Sequence, residues 1–187
     1  MRTNNTQINP FLLTGYVSAE YFCDRVEETE KLSSALLNGR NVALISPRRM
    51  GKTGLIKHVF HKVEAEKTAK CYYVDLYQTS NLAELASKLG LAVLGTLDSR
   101  QSKIVKKVSE FFKALRPVVS FDPMTGAPSF SVDVQPELAE QSLAEVFAYM
   151  EQSNERCYVA FDEFQEVANY EDRKVEALLR AHIQHLT

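Results

Sequence analysis

The sequence predicts an α/β domain, a parallel sheet with helices on both faces. Two observations carry this. Short apolar runs rich in strand-forming residues, at 42–45, 71–76 and 157–161, are separated by stretches with helical periodicity. Most of those stretches are ten residues or longer, long enough for a crossover helix between parallel strands.

Each element has a local reason. Residues 1–20 are polar or mixed and read as a leader segment. Asp24, with Glu27 three positions on, reads as the N-cap of a helix that runs to about Leu37 and ends at Gly39. The run 42–45 reads as a buried strand. A helix starts near Lys52, with Leu55, Ile56, Val59, Phe60 and Val63 on one face. The run 71–76 is the second strand. Asn81 and Glu84 cap the next helix, whose stripe is Leu82, Leu85, Leu89 and Val93. Asp98 and Gln101 repeat that pattern before a helix facing inward through Ile104, Val105, Val108, Phe111, Phe112 and Leu115, closed by Pro117. Two short strands, 118–121 and 129–134, flank a turn-rich segment at 122–126 and read as a hairpin inserted at about 117–135. Pro136 opens a helix with Leu143, Val146, Phe147 and Met150 inward. The run 157–161 is the third strand, and the last helix carries Val175, Leu178, Leu179, Ile183 and Leu186.

Composition sets outer bounds. The 187 residues are 45% hydrophobic and 25% charged, enough to bury a core and stay soluble. A net charge of −2 and a pI near 6.1 give no support for a nucleic-acid footprint over the whole chain. Cys23, Cys71 and Cys157 lie far apart with no CxxC pair, which argues against a disulfide framework and a zinc site and fits a reducing cytoplasm. Residues 1–10 carry no apolar signal segment, and no apolar run reaches the roughly 18 residues of a membrane span.

The most informative stretch is Ser46, Pro47, Arg48, Arg49, Met50, Gly51, Lys52 and Thr53, followed by Gly54. It fits a phosphate-binding loop, G-x-x-x-x-G-K-[ST], with Ser46 in place of the first glycine. Gly51 lets successive N–H groups curl toward one anion at a helix N-terminus. Lys52 carries a compact charge to the outer phosphates, and the Thr53 hydroxyl suits Mg²⁺, a hard ion that prefers oxygen. With Ser46 lacking glycine's freedom, Pro47 is expected to help shape the first bend. A lone GKT is common; a preceding apolar run and a following amphipathic helix make this one specific.

The third strand ends in Asp162 and Glu163. In a parallel sheet ligands bind at the carboxyl ends of strands, so Asp162 is expected to hold Mg²⁺ and Glu163 to orient or deprotonate the water that attacks the terminal phosphate. The competing reading is that the pair merely caps the next helix. Gln165 divides between a polar sensor and a solvated helix residue.

Taken together, Phe22-Cys23-Asp24-Arg25 with Glu27 and Leu32, the stretch 41–53, Phe161-Asp162-Glu163-Phe164-Gln165 and the helix segment 179–184 resemble the prokaryotic and archaeal ATPases of the STAND/AAA-like group. The resemblance covers roughly residues 20–186. It implies a P-loop NTPase fold of ASCE type, in which a catalytic glutamate, here Glu163, follows the metal-binding aspartate. It implies strand order 5-1-4-3-2 and places 22–24 near the adenine. It also implies a fourth strand, a helical lid and often a winged-helix domain beyond this point, so 21–187 reads as an ATPase domain truncated before its fourth core strand. The cofactors implied are ATP and Mg²⁺.

The leading expectation is ATP hydrolysis driving a conformational switch or motor; the alternative is a nucleotide-binding scaffold with negligible turnover. A GTPase would want D-x-x-G and N-K-x-D, which the chain lacks. Expected partners are the lid and winged-helix region, with a protein partner, a second copy of the chain and DNA left open. His58 with His61, and His182 with His185, share helix faces but lack further ligands for zinc. Arg48 and Arg49 divide evenly between solvation and contact with phosphate or a neighbouring subunit. Lys103, Lys106 and Lys107 read as a solvated face, and Tyr72, Tyr73 and Tyr77 as strand packing.

Overall fold

A computed structural model of the chain describes residues 15–95, 112–121, 124, 128–153 and 155–185. The chain divides into two compact units, Met1–Thr68 and Ala69–Thr187.

The first unit pairs two helices, α1 (Val26–Leu37) and α2 (Lys52–Ala65). Leu32 of α1 and Leu55, Ile56, Val59, Phe60 and Val63 of α2 are buried, the stripe expected from the 3.6-residue period. Gly39 closes α1 as expected. At φ 66° it lets its own N–H reach Leu36 O and the Arg40 N–H reach Ala35 O, at 3.0 and 2.9 Å. That is the Schellman arrangement.

Two expectations fail here. Asp24 does not cap α1. It holds φ 63°, whereas a capping side chain needs an extended backbone to reach the first turn; the helix starts one residue later, behind Arg25, with no side-chain cap. The run 42–45 is not a buried strand. Residues 41–47 carry no regular structure, and Val42 and Ile45 are exposed, Ile45 to 94%. A strand exists only through a partner that takes up its N–H and C=O groups. Among the described residues no strand pairs with 42–45.

The second unit is built on a parallel pair, β1 (Lys70–Asp75) and β4 (Cys157–Asp162), in register from Lys70↔Cys157 to Asp75↔Asp162. The connection between them carries α3 (Leu82–Gly95), an antiparallel hairpin of β2 (Leu115–Phe121) and β3 (Pro128–Val134), and α4 (Ala139–Glu151). After β4 come a 3₁₀ helix (Phe164–Asn169) and α5 (Val175–His185). Among the described residues the parallel sheet has two strands and the hairpin is a separate sheet.

Alternation organises the core. Tyr72 and Val74 of β1 are buried with Leu85, Leu89 and Val93 of α3, Leu143, Val146 and Phe147 of α4, and Val175 and Leu179 of α5. Val159 and Phe161 of β4 pack on the same cluster. The hairpin joins it through Leu115, Val132 and Val134. Gly90 allows that approach, since a Cβ there would sit 3.0 Å from Leu115 Cδ2. The cap expected at the start of α3 forms, Glu84 N–H donating to Asn81 Oδ1 at 3.0 Å, while the returning Glu84 carboxylate accepts the N–H of Ser80, one residue before the cap, at 2.7 Å.

The helix expected before Pro117 falls mostly outside the described residues, as do 1–14 of the leader and most of the turn at 122–126. Its expected end is wrong. Leu115 begins β2 and Pro117 lies within it, opposite Val132. A proline's fixed φ fits an extended strand as well as a helix boundary, so the residue alone did not discriminate.

Candidate functional site

The expected site residues form two groups, one in each unit. The first is the loop that opens α2. Residues 48–51 turn tightly, and two residues supply left-handed bends, Arg49 at φ 63° and Gly51 at φ 73°. Gly51 is the N-cap of α2 and, having no side chain, caps nothing; the helix therefore starts with its N–H groups directed at the loop. Lys52 folds back over the loop, its ammonium donating to Ser46 O at 3.1 Å and Pro47 O at 3.4 Å. The Ser46 hydroxyl lies 3.4 Å from Pro47 O. Ser46, Lys52, Thr53 and Gly54 are half-buried; Pro47, Arg48, Arg49, Met50 and Gly51 are exposed.

Arg25, which sequence reading left without a role of its own, donates from its guanidinium to the Met50 carbonyl. A Cβ on Gly51 would lie 3.8 Å from that guanidinium. Arg25 thus ties the segment before α1 to the turn before α2. The pairing is nonlocal, and the only sequence signal for it is the arginine in the motif that opens the family resemblance.

Beside this loop lies a hollow of about 190 Å³ lined by Phe22, Asp24, Arg25, Thr29, His58 and Lys62. Phe22 stacks on His58, centroids 4.1 Å apart and planes 12° from parallel, and the Tyr16 hydroxyl sits 3.3 Å from His58 Nδ1. A Cβ on Gly54 would lie 3.8 Å from the Phe22 ring. Burial holds the His58 imidazole below its ordinary pKa, with further lowering from the nearby His61 and Lys62 charges. Burial also raises the Tyr16 phenol. Thr29 Oγ1, in the lining, is buried without a hydrogen-bond partner among the described residues.

The second group lies at the carboxyl end of β4. Asp162 is 9% exposed. Its Oδ2 accepts the Tyr73 hydroxyl at 2.6 Å and its Oδ1 the Glu163 N–H at 3.0 Å. Glu163 turns the chain into the 3₁₀ helix with φ 54°, and its carboxylate accepts from the Gln165 side-chain amide. Asp75 ends β1 directly across from Asp162, and its Oδ1 accepts the Tyr77 N–H at 2.9 Å. Behind them the Tyr170 hydroxyl donates to Thr79 Oγ1, and Thr79 to Leu76 O, each at 2.6 Å. Burial raises the Tyr170 phenol. Tyr73, expected to do no more than pack, joins Arg25 as a residue whose contact sequence reading missed.

Among the described residues there is no cluster of three or more His, Cys, Asp or Glu able to hold a metal. Cys23, Cys71 and Cys157 form no disulfide among the described residues. No described helix is long and apolar enough to cross a membrane.

A left-handed glycine and a lysine opening an amphipathic helix, in one chain with a parallel strand pair that ends in carboxylates, are the marks of a P-loop NTPase domain. Residues 22–187 match the family described as ATPase domain predominantly from Archaea, and the chain belongs to that family. Comparison with curated proteins and with solved structures finds no match. The α/β architecture with a small parallel sheet is consistent with the family, whose domains bind nucleotide, typically with Mg²⁺.

Proposed function

We propose that this chain binds ATP with Mg²⁺ and hydrolyses it, and that the cycle drives a conformational switch or motor. The observation that carries the reading is the loop before α2, where left-handed Gly51 and the folded-back Lys52 ammonium stand at a helix start without a side-chain cap. Residues 46–54 hold the phosphates, with Lys52 on the outer ones. The base lies in the hollow beside Phe22, where the Thr29 hydroxyl offers a polar contact.

The residues fit Mg²⁺. The Thr53 hydroxyl and the Asp162 carboxylate are oxygen donors, and Mg²⁺ characteristically takes one or two carboxylates plus substrate phosphates rather than an all-protein cage. When bound, the ion would neutralise charge on the transferring phosphoryl group. Glu163 orients the attacking water and accepts its proton. A C-terminal lid and winged-helix region, a protein partner or second copy, and DNA are the partners such a switch would act on.

A nucleotide-binding scaffold with little turnover is the second reading. The Gln165 amide favours it, because it already engages the carboxylate that would work on water.

Two variants test the assignment. Lys52→Ala should weaken ATP binding itself, measured by fluorescence titration. Glu163→Gln should keep that affinity and lower phosphate release by about 10²–10⁴-fold, the size of a lost general base. Hydrolysis at the unmodified rate in Glu163→Gln would move the catalytic role to Gln165. Absent turnover in the unmodified chain, restored by Gln165→Ala, would support the scaffold reading.

A further inference from the structure

We propose that Tyr73 is a positioning residue for the carboxylate of Asp162, aiming it at the divalent cation. The inference rests on the assignment of Asp162 to Mg²⁺. Its basis is the register of the two parallel strands. Tyr73 stands opposite Ala160, and Asp75 opposite Asp162. Side chains alternate along a strand, so Tyr73, Ala160 and Asp162 share one face. Ala160 presents only a methyl group at that position, which leaves room for the Tyr73 hydroxyl to reach the diagonal neighbour two residues on, a span aromatic side chains cover.

The contact is specific. At 2.6 Å from Tyr73 Oη to Asp162 Oδ2, it has the length of a charge-assisted O–H···O⁻ bond. The other oxygen, Oδ1, takes the Glu163 main-chain N–H. One donor on each oxygen sets the plane of the carboxylate. Both donors are anchored: Tyr73 by its place in the ladder, and Glu163 as the residue directly after β4. Partners of this kind orient a metal-binding side chain, and losing one costs about 10–100-fold in metal affinity. A hydroxyl that only satisfied a buried charge would act differently: its loss would weaken the fold and nucleotide binding alike, whether or not metal was present.

The test is titration of a fluorescent ATP analogue against the chain, at increasing Mg²⁺ and separately in EDTA. In Tyr73→Phe, which keeps the ring, the Mg²⁺ concentration for half-maximal binding should rise about tenfold or more. Affinity in EDTA should not change. Asp162→Asn should abolish the Mg²⁺ dependence, and Tyr73→Phe should add nothing to it in the double variant. Ala160→Leu keeps the hydroxyl but fills the room it needs. It should reproduce the Mg²⁺ shift, and it serves if Tyr73→Phe does not fold. An unchanged Mg²⁺ requirement in Tyr73→Phe, with Asp162→Asn impaired, overturns the role of Tyr73 and leaves the site assignment standing. An unchanged requirement in Asp162→Asn overturns the assignment of Asp162, and the role of Tyr73 with it. Equal weakening with and without Mg²⁺ also overturns the proposal.

Discussion

His58 sits between an aromatic stack and cations. Phe22 covers one ring face, the Tyr16 hydroxyl meets Nδ1, and His61 and Lys62 of the same helix supply the nearby charge. Its folded pKa lies below the ordinary 6.5, chiefly through burial. The sign follows: as pH falls, the unfolded chain takes up the proton first, so the stability His58 contributes is present above the ordinary value and is lost as pH drops through the folded one. Urea midpoints followed by far-ultraviolet circular dichroism should therefore fall between about pH 7 and pH 5, and His58→Gln should flatten that decline. An equal slope in the variant would place the titration elsewhere. The places of Gly51 and Lys52 at the start of α2, and of Glu163 just after β4, were legible at this scale because each follows from residue type and a local junction. Tyr73 and Arg25 were not. Tyr73 meets a residue 89 positions away and Arg25 one 25 positions away, and pairings of that kind depend on register and packing.

At the scale of elements, capping chemistry separates what sequence patterns identify from what backbone conformation decides. Asn81 and Asp24 carry the same signature, an Asx residue three positions before a glutamate. Asn81 caps α3; Asp24, at φ 63°, caps nothing. Asn81→Ala should cost about 1 kcal/mol, read as a lower urea midpoint with unchanged slope. Asp24→Asn, which keeps a residue tolerant of the left-handed region, should change it little. The helical stripes of α2, α3, α4 and α5 were legible because burial enforces the 3.6-residue period. The stripe expected before Pro117 overran into β2, where Leu115 is buried as a strand residue rather than a helical one. An apolar residue at a junction satisfies either period.

For the whole molecule, the sequence predicted an alternating α/β chain with a parallel sheet, and the pairing of β1 with β4 bears out its polarity. What it did not predict is that 42–45 would stand outside any ladder. Strand formation is the least local of these events: the apolar character of Val42 and Ile45 is a property of the segment, but its partner is a property of the fold. The same limit explains the hairpin. Its two strands were recognised from their flanking turn, yet their packing on α3 depends on the missing side chain of Gly90, which no hydrophobic pattern announces.

The proline opposite Val132 has a consequence for solubility. A ladder tolerates proline where the absent N–H would have pointed away from the partner strand, so Pro117 leaves a gap in the outer row of donors on β2. On the other side the Val132 carbonyl is taken by the Ser87 hydroxyl of α3. Both margins of this two-stranded ribbon are thus interrupted at the same level, one by a missing donor and one by an occupied acceptor. Exposed strand margins template intermolecular pairing unless blunted in this way, and exposed Phe121 and Met124 near the ribbon's tip would favour such contacts. Pro117→Val restores a donor and a β-branched side chain together. Light scattering of concentrated protein should then show self-association that the unmodified chain resists, and a variant that stays monomeric would assign that protection to the Ser87 side alone.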